Sequence, residues 1–102
     1  MKNLDGPSLR KVPLSSIFYA LSDPARLEIV RYLLLKEESA CGQCKTPLSK
    51  STMSHHFKVL RQAGLIRKRT EGKVHFISLC EKELEGRLPG FLKLLERVNG
   101  PL

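Results

Sequence analysis

Two groups of residues in this sequence have types and spacings that could do chemistry. The first is Cys41-x-x-Cys44, with Cys80 further along. Two thiolates at that spacing can chelate zinc or a softer ion, form a redox-sensitive disulfide, or react with an electrophile. They can equally be small buried hydrophobes. A four-ligand metal set cannot be assembled from neighbouring residues, so no metal is assigned, and Cys41 and Cys44 stand as a candidate thiol switch. The second group is Lys50, Ser51, Thr52, Ser54, His55 and Lys58. Hydroxyls, an imidazole and ammonium groups hydrogen-bond base edges and phosphates. The sequence carries no Gly-rich phosphate loop, serine elbow or paired carboxylates, which leaves no cofactor and no enzyme class to argue for.

The element that must position the second group is a helix. Ser49 can cap it, since its hydroxyl can accept from a free amide of the first turn. Met53, Phe57 and Leu60 recur at spacings of four and three, which is one helical face. With that face inward, Ser51, Thr52, Ser54, His55 and Lys58 point outward. His56 falls between Met53 and Phe57 on the inner face and reads as structural. Gly64 ends the helix in the left-handed conformation that glycine tolerates best. Two β-prone runs follow, 65–70 and 73–79, joined at Glu71-Gly72, where glycine can supply a positive φ. A helix followed at once by a basic hairpin is the layout of a winged helix, the helix in a DNA major groove and the hairpin beside it. Lys50, Lys58, Arg61, Arg69 and Lys73 would then meet phosphates or, on the hairpin, the minor groove.

Charge separates this reading from an ordinary solvated surface. Residues 45–75 hold eight basic residues and one acid, Glu71, a net +7 of the chain's +8. Like charges packed together repel and destabilise a fold, and a polyanion's phosphates offset that cost. The expected partner is double-stranded DNA. At 102 residues the chain makes one domain, and 41% hydrophobic with 27% charged residues is the balance of a globular protein. Without an apolar run of membrane-spanning length or a secretory signal pattern, the expected compartment is the cytoplasm. An odd cysteine count, three, suits reduced thiols there.

The remaining segments supply scaffold. Residues 1–13 include Gly6, Pro7 and Pro13 without periodicity and read as a flexible arm, with Lys2, Arg10 and Lys11 able to touch phosphates. Ile17 and Leu21 mark a short amphipathic helix from Leu14. Asp23 caps a second helix with Pro24 at its first position. This helix, running to about Lys36, is expected to bury Leu27, Val30, Leu33 and Leu34 and to expose Glu28, Arg31 and Lys36. Pro47 limits any helix around 41–45 to one or two turns. After the hairpin, 81–87 looks helical and Pro89-Gly90 interrupts. Leu88, Phe91, Leu92, Leu95 and Val98 then form an apolar stripe.

Three stretches together resemble the ArsR family of bacterial winged-helix repressors. They are Leu21-Ser22-Asp23-Pro24-Ala25-Arg26-Leu27, the run from Lys50 to Ile66 with its Ser-x-His-His-x-Lys-x-Leu-x-x-Ala-Gly-Leu core, and Glu71-Gly72-Lys73. The resemblance covers about residues 14–80. It implies a mainly α fold with a small β-hairpin, in the order α-α-α-α-β-β-α. It also implies a homodimer that binds a promoter palindrome and lets go when an effector binds or a thiol state changes. The domain expectation is a 14–80 DNA-binding unit followed by an 81–102 dimerisation segment. Pairing would use the first and last helices through Ile17, Leu21, Leu88, Phe91, Leu92, Leu95 and Val98. Two family metal patterns are unmatched: there is no Cys-x-Cys on the helix before Ser49, and no His follows His75 for a last-helix pair. A metal-sensing repressor using Cys41 and Cys44, an activator, and a protein-binding winged helix are the alternative roles.

Overall fold

Asp23 starts the first long helix. Its carboxylate accepts from the amides of Ala25 at 2.8 Å and Arg26 at 3.4 Å, and Pro24 fills a position whose N–H would have had no partner. The computed structural model describes residues 8–35, 39–40 and 49–102. In chain order they form α1 (Leu14–Ala20), α2 (Pro24–Leu35), β1 (Ser39–Ala40), α3 (Lys50–Gln62), β2 (Ile66–Glu71), β3 (Val74–Leu79), α4 (Glu81–Arg87) and α5 (Phe91–Arg97). The expected short helix at 41–45, with Cys41 and Cys44, lies outside the described residues. What is described is the expected mainly α winged helix with a small sheet, except that two helices, α4 and α5, follow the hairpin where the expected order had one.

Both ends of α3 follow from side-chain chemistry. Ser49 Oγ accepts from the Thr52 amide at 3.2 Å. At the other end the Leu65 amide bonds Leu60 O at 3.0 Å and the Gly64 amide bonds Arg61 O at 2.9 Å, while Gly64 takes φ 80°. That pair of bonds around a left-handed glycine is the Schellman stop. It turns the chain directly into the hairpin, where β2 and β3 pair antiparallel from Ile66↔Leu79 to Glu71↔Val74. The connecting residues are Gly72 and Lys73, one place later than the spacing suggested. Gly72 at φ 64° followed by a residue without positive φ matches a type II′ turn, whose twist suits a hairpin.

A third strand was not anticipated. β1 pairs with β3 through Ser39↔Ile77 and Ala40↔Phe76, giving the sheet order β1-β3-β2. Two residues are too short to show a period of two, so no pattern could announce them.

One apolar cluster joins all the helices to the sheet, with Ile17, Ile29, Val30, Leu60, Leu65, Ile66 and Leu84 among its most enclosed members. Three expectations need correction here. First, α2 turns Arg26, Ile29, Val30 and Leu33 inward, whereas Leu27 and Leu34 are only half-buried. Second, residues 8–13 are not a loose arm. Leu9 and Val12 are buried in the core, and Arg87 Nη1 donates to Leu9 O at 2.7 Å, Val12 O at 2.8 Å and Arg10 O at 3.3 Å. Three carbonyls on one guanidinium hold backbone that has no strand or helix partner of its own. Third, Ile17, Leu21 and Leu95, expected on a pairing surface, are enclosed in this chain's own core. Leu88, Phe91 and Leu92 are half-buried against the same cluster, and Val98 is half-buried as well. Among the described residues the large apolar side chains left outside are Leu14, Phe18 and Tyr19 on α1, Leu35 at the end of α2, Val74 on β3 and Leu94 on α5, with Phe18 53% and Leu94 62% exposed.

Leu9→Ala should lower unfolding free energy by about 2–5 kcal/mol in urea titration, the range for an enclosed leucine. A loss below about 0.5 kcal/mol, typical of surface positions, would mean that the segment is not docked. A second expectation concerns acid. Burial pushes the Asp23 carboxyl up, but hydrogen bonds from the Ala25 and Arg26 amides and the nearby Arg26 guanidinium bring it to a net value below the ordinary one. Its stabilisation is therefore present above about pH 4 and lost as pH falls through the lowered folded-state value. Asp23→Asn keeps an oxygen to cap α2 but should flatten that acid limb in melts taken from pH 6 downward. An unchanged limb would assign the acid loss to other carboxyls.

Candidate nucleic-acid interface

The inward side of α3 is set by Met53, His56, Leu60 and Ala63, all buried. A helix with that side fixed must present the opposite one, and Ser51, Thr52, Ser54, His55 and Lys58 are all exposed. Lys50 is the first helical residue, and its side chain is not described. Arg61 is half-buried toward the helix end. On the hairpin, Arg69 is half-buried, and Lys73 is exposed at the turn. The fold thus collects the hydroxyls, His55 and Lys58 on one helix side, with Lys73 at the tip of the hairpin that follows.

The hydroxyls at the start of α3 are partly engaged. Ser49 Oγ donates to Thr52 Oγ1 at 2.9 Å and lies 3.3 Å from Ser51 Oγ. A hydroxyl offers one donor and two lone pairs, so Thr52 keeps its own proton for an outside acceptor. No acid occupies the first turn of α3, although a carboxylate there would be favourable to the helix. The positive end of the helix is left for an external anion, as at phosphate-binding helix starts.

The cations differ in how far they are committed internally. Arg67 Nη2 meets Glu83 Oε2 at 3.3 Å, which turns it toward α4. Arg69 meets Glu71 at 3.2 Å and covers the Phe76 ring at 4.6 Å, so its guanidinium is held along the hairpin. Exposed pairs of this kind are worth little in water, and phosphate can compete for either cation. Thr70 and His75, cross-strand partners, share a hydrogen bond of 3.1 Å between Oγ1 and Nδ1 near the tip. Both are exposed polar groups of the hairpin that sequence reasoning had not singled out.

His56 is structural, as its place on the inner side suggested. Arg26 Nη1 lies 3.2 Å from His56 Nδ1. A guanidinium only donates, so Nδ1 accepts and the ring proton sits on Nε2. Arg26 itself was overlooked, though it could have been found: Arg26, Ile29, Val30 and Leu33 stand at i, i+3, i+4 and i+7, which puts the arginine on the buried stripe.

The cysteines divide. Cys80 is buried at the junction of β3 and α4, and burial raises its thiol, opposed in part by the Arg67 guanidinium. A raised, enclosed thiol is a poor nucleophile and a poor ligand. Among the described residues no group of three His, Cys, Asp or Glu could hold a metal ion, and no helix is long and apolar enough to cross a membrane.

Comparison with known proteins agrees with this geometry. Residues 23–68 match the family model described as bacterial regulatory protein, arsR family. The chain is 43% identical over 84 residues to an uncharacterized HTH-type transcriptional regulator of Bacillus subtilis, YceK, covering 79% of this chain and 84% of that protein. It is 35% identical over 86 residues to the arsenical resistance operon repressor of Bacillus subtilis, covering 81% of each. Its fold is similar to the crystal structure of an ArsR family transcriptional regulator, with a TM-score of 0.61 at 23% identity over 84% of this chain and 93% of that one. With an exposed polar side on α3, a basic hairpin after it and these relatives, the chain belongs to the ArsR family of bacterial DNA-binding transcriptional regulators.

Proposed function

We propose that the protein is a cytoplasmic repressor that binds a palindromic operator as a homodimer and has no catalytic step of its own. The observation that carries this is the α3 surface, where Ser51, Thr52, Ser54, His55 and Lys58 are exposed together within a segment holding +7 of the chain's +8 charge. In the proposed complex those hydroxyls and His55 meet base edges in the major groove. Lys50, Lys58 and Arg61 neutralise phosphates, and Arg69 and Lys73 follow the hairpin to a phosphate or the minor groove. Repression, rather than activation, is supported by the name of the Bacillus subtilis arsenical repressor. Release would come from a thiol change or another effector; for a thiol change Cys41 and Cys44 are the candidates, since Cys80 is enclosed with its thiol pushed up.

The second copy would pair through Leu14, Phe18 and Tyr19 on α1 with Leu94 on α5, joined by half-buried Phe91, Leu92 and Val98. Large apolar side chains left in water on the first and last helices of a small domain are what association would cover. Half-sites would then lie about one helical turn apart, or a multiple of it.

On a duplex selected by the protein from a random library, Lys58→Ala should weaken binding to selected and random DNA alike and reduce the salt slope by about one per copy. Thr52→Ala should mainly lower the preference between them, by roughly five- to a hundredfold for a lost base contact. Equal losses on both duplexes from both variants would contradict the division of roles. Phe18→Glu combined with Leu94→Glu should shift the mass measured by light scattering from dimer to monomer. An unchanged dimer would move the pairing surface elsewhere.

A further inference from the structure

Arg26 is the charged residue most deeply enclosed in the described fold, 6% exposed, and its partners are not carboxylates. Its Nε donates to Ala20 O at 2.7 Å and Nη2 to Tyr19 O at 3.3 Å, the last carbonyls of α1. Its guanidinium lies 5.4 Å from the centre of the Tyr19 ring, which is itself largely exposed on the face assigned above to pairing. The third donor, Nη1, reaches His56 Nδ1 at 3.2 Å in the middle of α3. His56 is 7% exposed, and its neighbour His55 stands on the outward face. One planar group therefore ties the end of the pairing helix to the inner side of the recognition helix.

Apolar packing sets distances between helices but is weakly directional, whereas a fork of fixed N–H donors also sets angle and rotation. Burial makes the arrangement strict, because a guanidinium that lost its Ala20 or His56 acceptor would have no water to replace it. We propose that Arg26 is a positioning residue that fixes α3 relative to α1, so that the two recognition helices of a dimer accept one half-site spacing. The proposal rests on the dimeric operator-binding reading. In a two-fold assembly any rotation of α3 on α1 occurs in both copies with opposite sense, so a small loss of angular control alters the separation of the two reading surfaces twice over.

The test uses the duplex selected by the wild-type protein and a version with two base pairs inserted between half-sites, which turns one half-site by about 70° about the DNA axis. Wild-type protein should bind the selected duplex at least about tenfold more tightly than the inserted one. Arg26→Lys replaces the fork with a point charge that cannot serve all three acceptors. It should lose roughly ten- to a hundredfold on the selected duplex and little on the inserted one, so that the ratio collapses. A pair at the other end of the contact keeps the question open to refutation if Arg26→Lys fails to fold. His56→Asn retains an acceptor near the Nδ1 position and should keep the spacing ratio within about threefold of wild type, while His56→Leu removes the acceptor and should lose the ratio. Each variant is compared only after its melt and dimeric mass show it folded and paired. A folded, dimeric His56→Leu or Arg26→Lys that discriminates spacing as wild type does would overturn the positioning role and leave operator binding intact. Wild-type protein with no preference for any palindrome would instead overturn the operator reading and this one with it.

Discussion

Burial along one side of α3 is the constraint on which the rest of the molecule turns. Met53, His56, Leu60 and Ala63 are enclosed, and because the helix repeats every 3.6 residues their enclosure decides what lies opposite. The hydroxyls, His55 and Lys58 are outward as a consequence of that packing. The Ser49 cap and the Schellman stop at Gly64 add to the constraint by fixing where the helix begins and ends. Together they bring the basic hairpin immediately after the helix, with no linker in which its direction could be lost. The hairpin's direction is therefore set by the helix that precedes it.

The scaffold around that surface is small, and it uses its polar groups economically. A domain of this size encloses a limited apolar volume, so two arginines supply order that packing alone would not. Arg87 gathers three carbonyls of the N-terminal segment, and Arg26 gathers two from α1 and a ring nitrogen from α3. Both act on backbone oxygens at or beside the ends of short elements, where carbonyls without helical partners concentrate. The same smallness leaves Phe18 and Leu94 outside. An apolar face on a chain with little more core to fill is what association with a second copy would cover.

Much of this could be read from residue order, and the parts that could not share a physical cause. Caps, glycine stops and the alternation of apolar residues are local, so α3 and the hairpin were visible and so was the inward place of His56. Tertiary choices between two plausible faces were not. On α2 the run of leucines offers both Leu27–Leu34 and Ile29–Leu33 phases, and packing against α3, β3 and α5 selects the one that carries Arg26 inward. On α5 Phe91, Leu92, Leu94 and Leu95 put apolar groups on more than one side, and the chain's own core claims Leu95 while leaving Leu94 out. The docking of Leu9 and Val12 depends on Arg87, distant in sequence, which no periodicity in residues 8–13 could reveal. β1 is too brief to have a pattern at all. Where an interaction spans the chain, composition is silent about it.

The central claim is that the outward side of α3 lies in a major groove. Methylation protection of guanine N7, an atom exposed only in that groove, measures this most directly on a duplex the protein has selected. The account predicts two protected patches on the same face of the duplex, about one helical turn apart or a multiple of it. They should weaken together when His55 and Thr52 are replaced. Strong binding with N7 fully reactive throughout would place the protein on the backbone or in the minor groove alone, and the assignment of α3 as the reading helix would be wrong.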